Sequence, residues 1–188
     1  MHAAHVICAG DVASDAPLFM LSPDVREFYT RMLDLRRERP LPRFADLDLM
    51  AMYWLAPYVM LIDVDQTTCR NQLRFVGTGV VAALGQETTG MFIDQIDIGP
   101  YRSQQLSAFN QAVASKKIQW TFVSAAASKS GMSDGKRSII YERLIVPCTD
   151  DQDNIKQLAA ILHCSETPKQ SPGFDHREII IAPAESLG

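Results

Sequence analysis

The chain has 188 residues, of which 47% are apolar and 21% are charged, and its formal net charge is −4. These values are typical of one globular domain with a sizeable core, and they give no electrostatic reason to expect nucleic acid or an anionic membrane as a partner. No apolar run approaches the roughly 20 residues of a membrane span, and residues 1–10 lack the basic start of a secretory signal. We therefore expect a cytoplasmic protein.

The N-terminal segment, residues 1–22, shows no clear periodicity and is expected to be loose. The next unit, residues 23–40, is predicted to be a helix, because Ser22 can accept from its first N–H groups and Pro23 suits its first turn. Its apolar residues recur at helical spacing, namely Val25, Phe28, Tyr29, Met32, Leu33 and Leu35. Since this helix precedes the main domain, we expect its apolar stripe to be buried in a homodimer.

Residues 41–164 are expected to form the main domain, followed by a peripheral tail over residues 165–188 that can add one short strand at Ile179–Ile181. Turn-forming residues separate the apolar segments of the domain, and Gly85 is expected to close the short helix that precedes it. The predicted elements are, in chain order, a short helix to Ala56, strands at 58–64 and 73–76, short helices near 80–84 and 91–96, a helix over 101–116, and strands at 117–125, 136–147 and 155–164. This order predicts an α+β fold with a five-stranded antiparallel sheet, helices on one face and an additional N-terminal helix.

A set of short motifs accompanies this order of elements. They are Leu41-Pro42-Arg43 with Asp46 and Asp48, Leu55-Ala56-Pro57-Tyr58-Val59 with Leu61-Ile62-Asp63-Val64, Leu73-Arg74-Phe75-Val76-Gly77-Thr78-Gly79, Gly85-Gln86-Glu87, Thr89-Gly90, and Tyr141-Glu142-Arg143-Leu144-Ile145-Val146-Pro147. Over residues 25–164 the chain resembles a bacterial subfamily of small, mostly stand-alone Per-Arnt-Sim (PAS) proteins. The resemblance implies a PAS-like domain with a sensory or regulatory role, often as a dimer.

Cofactor motifs are weak. Gly77-Thr78-Gly79 follows a strand, but the third glycine of a dinucleotide fingerprint would fall at Ala82, so a tight turn is the favoured interpretation. Cys69 lies in a segment similar to that of flavin-binding photosensor PAS domains, yet in the hairpin and not among the central helices. Residues 77–116 contain no histidine for haem, and His163 is interpreted as a hydrogen-bonded or edge residue. We therefore expect no cofactor and a colourless protein.

Metal and catalytic motifs are also missing from the sequence. None of the four cysteines forms a Cys-x-x-Cys pair, and His2 and His5 near Cys8 could bind a metal only adventitiously. Asp63 and Asp65 form a carboxylate pair without a partner base or nucleophile. We expect no metal site and no enzymatic activity.

The candidate ligand site follows from strand alternation. Trp120 and Phe122 share one face of their strand, and Tyr141 and Arg143 share one face of theirs. Val80, Leu84 and Phe92 come from the short helices and Phe109 from the long one. The residues expected to bound a cavity are Phe75, Val80, Leu84, Phe92, Phe109, Trp120, Phe122, Tyr141 and Arg143. Such a site, mostly apolar with one cation, suits a small amphipathic acid.

Arg143 has two interpretations. It forms a structural ion pair with Asp46, Asp48 or Asp63, or it anchors the carboxylate or phosphate of a ligand. Trp120 and Phe122 are likewise either plain core or pocket wall.

Three functions stay open on the sequence. The favoured one is a PAS-type regulatory module that binds a small molecule or a protein partner and acts through another polypeptide, since the chain shows no kinase, diguanylate cyclase or DNA-binding segment. The alternatives are a small α+β pocket enzyme of the lyase or isomerase type, and a ligand-free dimerisation adaptor with a filled core. The sequence identifies neither the ligand nor the signalling partner.

Overall fold

The computed structural model describes Met20 and residues 22–96, 102–126, 138–166 and 179–182. Its helices are α1 (Pro23–Arg36), α2 (Thr78–Leu84) and α3 (Arg102–Ser115), with 3₁₀ turns at Phe44–Asp46, Met50–Met52, Ala56–Tyr58 and Ile93–Gln95. Its strands are β1 (Val59–Asp65), β2 (Arg70–Val76), β3 (Gln119–Ala126), β4 (Ser138–Thr149), β5 (Ile155–Glu166) and β6 (Ile179–Ala182). Most of the predicted loose N-terminal segment and of the peripheral tail lies outside the described residues.

The strands form one antiparallel sheet in the order β2-β1-β5-β4-β3-β6. The predicted α+β class and the five-stranded antiparallel sheet are confirmed by β1 to β5, and the short β6 pairs with the outer edge of β3. Among the described residues, no helix has the length and apolar character needed to cross a membrane.

The two ends of α1 differ from the sequence-based prediction. Ser22 does not cap the helix through its hydroxyl, and its backbone N–H instead donates to the carboxylate of Glu142. The helix ends at Arg36 because Arg37 turns the backbone to a φ of 54°. By contrast, α2 ends as predicted, at Gly85 with a φ of 71°, a conformation that glycine adopts without steric cost.

The sheet carries a core on each face, and each core belongs to a different set of helices. The face under α1, the α1 face, buries residues that include Met20, Val25, Phe28, Met32, Val59, Trp120, Leu144, Val146 and Ile161. The face under α2 and α3, the α3 face, buries Met60, Ile62, Leu73, Val80, Phe109, Ala112, Ile145, Leu158 and Ala160 among others.

The position of α1 corrects an expectation. The helix does not stand outside the main domain with its stripe free for another subunit, because Val25, Phe28 and Met32 are all buried against its own sheet. The helices therefore cover both faces of the sheet, the central ones on one face and α1 on the other. A homodimer stays a prediction, but the apolar stripe of α1 no longer argues for it.

Gly77 marks a close approach of two backbone segments. A Cβ atom at Gly77 would lie 2.2 Å from the carbonyl oxygen of Ala56 and 2.3 Å from that of Pro57. The Gly77 N–H donates to the carbonyl of Val59, which fixes the end of β2 against the start of β1. Backbone packing thus accounts for the glycine that opens the Gly77-Thr78-Gly79 segment.

Candidate functional site

Two charged residues that are neighbours on β4 are buried on opposite faces of the sheet. Glu142 and Arg143 are each only 3% exposed. Successive residues of a strand point to opposite faces, so Glu142 faces α1 and Arg143 faces α3. Buried charges of this kind are costly unless they are paired or hydrogen-bonded, and they are frequent at functional sites.

Arg143 lies in the middle of the α3 face. Its guanidinium carbon is 4.9 Å from the ring centroid of Phe109 on α3, an arrangement typical of a cation–π contact. Burial lowers the pKa of Arg143, and the neighbouring Tyr141 opposes this shift in part. A guanidinium nevertheless keeps its charge near neutral pH, so the α3 face contains a buried cation.

Further polar side chains lie on the same face beside Arg143. Thr121 is its cross-strand neighbour on β3, and Tyr141 is two positions away on β4. Thr121 is 3% exposed, and its hydroxyl has no hydrogen-bond partner within the described part of the chain. Gln119 Oε1 is buried without a partner in the same sense, although Nε2 of Gln119 donates to Ser115 Oγ at 3.3 Å.

We call Gln119, Thr121, Tyr141 and Arg143 the α3-face polar cluster. Burial raises the pKa of Tyr141, with the charge of Arg143 acting in the opposite direction, so the phenol is protonated at neutral pH and can donate a hydrogen bond. The cluster therefore offers a cation, two hydroxyl groups and an amide oxygen inside an otherwise apolar face. Few polar groups in an apolar setting are typical of a small-molecule site.

Glu142 organises the opposite face. Its carboxylate accepts the indole N–H of Trp120 at 2.6 Å and the backbone N–H of Ser22 at 2.7 Å. Ser22 immediately precedes α1, so the negative charge lies at the positive end of the helix dipole. One buried carboxylate thus connects β4, β3 and the start of α1. No local pattern of residues indicates this contact, because Ser22 and Glu142 are 120 positions apart.

His163 lies near the same helix start. It pairs with Glu142 across β4 and β5, and its Nδ1 is 3.2 Å from Asp24 Oδ2. Its ring is also 5.9 Å from that of Tyr58, centroid to centroid. The sequence predicts that His163 is a hydrogen-bonded or edge residue, but β5 lies inside the sheet and His163 Nδ1 has no hydrogen-bond partner among the described residues.

The structure does not bring the nine predicted site residues into one cavity. Val80, Phe109, Tyr141 and Arg143 lie on the α3 face with Leu84, whereas Phe75, Trp120 and Phe122 lie on the α1 face. Phe92 stacks under the guanidinium of Arg70, whose carbon is 3.7 Å from the ring centroid. Alternation correctly grouped Trp120 with Phe122, but the β3–β4 register places Thr121, and not Trp120, on the face of Arg143.

The three carboxylates proposed as structural partners of Arg143 have other contacts. Asp46 pairs with Arg39, Asp48 accepts the backbone N–H of Met50, and Asp63 lies 3.6 Å from Arg74. Each of these three carboxylates therefore has a partner other than Arg143.

A shallow cavity of about 190 Å³ lies elsewhere, and its lining contains no member of the α3-face polar cluster. It is bounded by Arg43, Phe44, Ala45, Thr149, Asp150, Asp151 and Gln157. Arg43 and the largely exposed Asp151 pair at 3.4 Å beside it, which leaves little reason to expect a specific ligand there.

Neither metals nor known relatives add to the description of the site. Within the described ranges, no three His, Cys, Asp or Glu side chains are grouped so that they could hold a metal ion. No protein-family model matches the chain, and no curated protein matches it either.

Proposed function

We propose that the chain is a cytoplasmic PAS-type sensory or regulatory module that binds a small organic acid at the α3-face polar cluster. The observation that carries this proposal is the buried Thr121 hydroxyl, which has no hydrogen-bond partner among the described residues and lies next to the buried cation of Arg143. The succession of two strands, central helices and three strands supports the PAS assignment.

The chemistry of the cluster favours an acid with an apolar body. A guanidinium such as that of Arg143 matches a carboxylate in geometry, and the Thr121 hydroxyl, which has no partner among the described residues, can supply a further hydrogen bond. Phe109 and Ile145 belong to the apolar surroundings. A sugar would leave many of its hydroxyl groups without partners in such a setting.

The arrangement of β4 suggests how binding is passed on. Arg143 would contact the ligand on one face, while the adjacent Glu142 holds Trp120 and the start of α1 on the other. A ligand shifts the protein between two states only if it binds them with different affinity. We propose that the state of α1 differs between them and that another polypeptide recognises the change.

Isothermal titration with phenylacetate and hexanoate tests the proposal, with phenylacetamide and hexanamide as neutral controls. We expect the acids to bind and the amides not to bind. Thr121→Val should weaken binding about tenfold, the equivalent of one hydrogen bond, while stability stays unchanged or rises because a buried hydroxyl is removed. Arg143→Met should abolish binding.

The matched control is Thr67→Val, the same substitution at an exposed turn position. Binding that survives both Thr121→Val and Arg143→Met would contradict the proposed site. If none of the acids binds and native mass spectrometry finds no co-purified ligand, the ligand-free adaptor is the better interpretation.

A further inference from the structure

The large apolar side chains that are most exposed in the described part of the chain lie within five positions of one another. Met50 is 79%, Tyr53 is 67% and Trp54 is 43% exposed. We call these three residues the aromatic patch. Single exposed apolar residues are ordinary, but a contiguous group with two aromatic rings is typical of a surface that binds another protein.

The aromatic patch is held in a fixed conformation. Met52 and Leu55, which flank Tyr53 and Trp54 in the chain, are buried in the core of the α1 face. The backbone N–H of Met50 donates to Asp48 Oδ1 at 2.8 Å, and that of Leu55 donates to the Met52 carbonyl at 2.9 Å. Side chains presented by an ordered turn lose little conformational entropy when they bind, which favours association.

The charges beside the aromatic patch point to its partner. Arg31 on α1 lies with its guanidinium carbon 5.5 Å from the Trp54 ring centroid, and it pairs with Glu27 one helical turn away at 3.0 Å. Both charged side chains are about two-fifths exposed. Beside Trp54 the rim therefore carries one positive and one negative charge side by side, and the exposed Asp48 lies next to Met50. Charges of both signs favour neither a strongly acidic nor a strongly basic partner.

A surface on which a positive and a negative charge lie side by side can pair with a second copy of itself. In a two-fold symmetric interface, a contact between two different residues occurs twice, once on each side of the axis. Arg31 of one copy can therefore face Glu27 of the other, and Glu27 of the first copy can face Arg31 of the second. The apolar residues would meet near the axis. We propose that the aromatic patch and the adjoining Glu27–Arg31 pair form the interface of a homodimer of this chain.

The size of the aromatic patch sets the expected affinity. At 150–250 Å² per aromatic side chain, the exposed parts of Tyr53 and Trp54 amount to roughly 170–270 Å², to which Met50 and the outer side of α1 add. A standard interface buries about 800 Å² per partner. The dimer is therefore weak and concentration-dependent, with a dissociation constant in the micromolar range or above.

Sedimentation velocity over a wide concentration range tests this interface. The average mass of the wild-type chain should rise from that of one chain toward that of two. Trp54→Ser should raise the dissociation constant at least tenfold without loss of folding, because the side chain is half-exposed. A wild-type chain that stays monomeric at millimolar concentration, or a dimer that tolerates Trp54→Ser, would overturn the proposal.

A charge exchange makes the test specific to the symmetric arrangement. Arg31→Glu and Glu27→Arg should each weaken the dimer, since each places like charges across the axis, and the double exchange should restore it. Lys156→Glu, at an exposed position of β5, changes the net charge by the same amount as Arg31→Glu and should have no effect. A double exchange that is no better than the single variants, or an equal effect of Lys156→Glu, would refute the two-fold pairing.

Discussion

The contact between Glu142 and the start of α1 gives a prediction about stability. Replacing Glu142 by Gln keeps the shape of the side chain but removes its charge. The carboxylate accepts one N–H through each oxygen, from Trp120 and from Ser22. The amide of Gln has only one oxygen, so its NH₂ group must face one of the two donors and leave that donor without an acceptor.

The expected loss is the sum of two effects. One charge-assisted hydrogen bond, worth about 1.5–3 kcal/mol, disappears, and the other becomes a weaker neutral bond. We expect Glu142→Gln to lower the free energy of unfolding by roughly 2–4 kcal/mol in total. With a urea dependence near 2 kcal/mol per molar for a domain of this size, the unfolding midpoint should fall by about 1–2 M.

Urea unfolding followed by circular dichroism and by tryptophan fluorescence measures this shift. Glu87→Gln is the matched control, because Glu87 also accepts a backbone N–H, from Thr89 at 2.8 Å, but at an exposed site, and it should change stability by less than about 0.5 kcal/mol. In the variant Trp120→Phe, the further effect of Glu142→Gln should be at least about 1 kcal/mol smaller.

The cost of removing a carboxylate from water opposes the stabilising effect of the two hydrogen bonds. Burying a carboxylate costs hydration energy, and replacing a buried charge is sometimes neutral or stabilising. If Glu142→Gln unfolds at the same urea concentration as the wild type or at a higher one, desolvation outweighs the two hydrogen bonds and the carboxylate does not hold α1 in place.

Three other predictions follow from the fold. Gly77→Ala should lower the free energy of unfolding by more than about 2 kcal/mol, because the added Cβ meets backbone atoms. Gly85→Ala has open space around it and only a positive φ to oppose it, so it should lower the free energy of unfolding by about 1 kcal/mol in the same urea assay. Equal losses for the two variants would contradict this. Burial raises the pKa of Cys148 to about 12, so a disulfide reagent near neutral pH should modify the exposed Cys69 quickly and Cys148 only after unfolding, as peptide mapping would show. The purified protein should lack visible absorption, and a stoichiometric flavin or Soret band would contradict the absence of cofactor motifs.

The sequence by itself determined the order of the main helices and strands. The helix over residues 102–115 and the strands β3 to β5 lie within a few residues of their predicted bounds, because hydrophobic periodicity and turn residues are local signals. Gly85 likewise marked the end of α2 correctly, since the left-handed conformation that closes a helix is a property of one residue. Alternation also showed that Tyr141 and Arg143 share a face of β4 and that Trp120 and Phe122 share a face of β3.

Only the tertiary structure decided which residues of neighbouring strands share a face of the sheet, and which face α1 covers. Alternation shows which residues of one strand share a face but not which face of the sheet that is. The register of β3 against β4 places Thr121 on the face of Arg143 and Trp120 on the face of Glu142. The place of α1 on the second face of the sheet depends on contacts between segments about 120 positions apart, such as Ser22 with Glu142. The apolar stripe of an amphipathic helix shows that this side must be buried, but it does not show against which surface. In this chain the stripe of α1 is buried against the sheet face opposite α3.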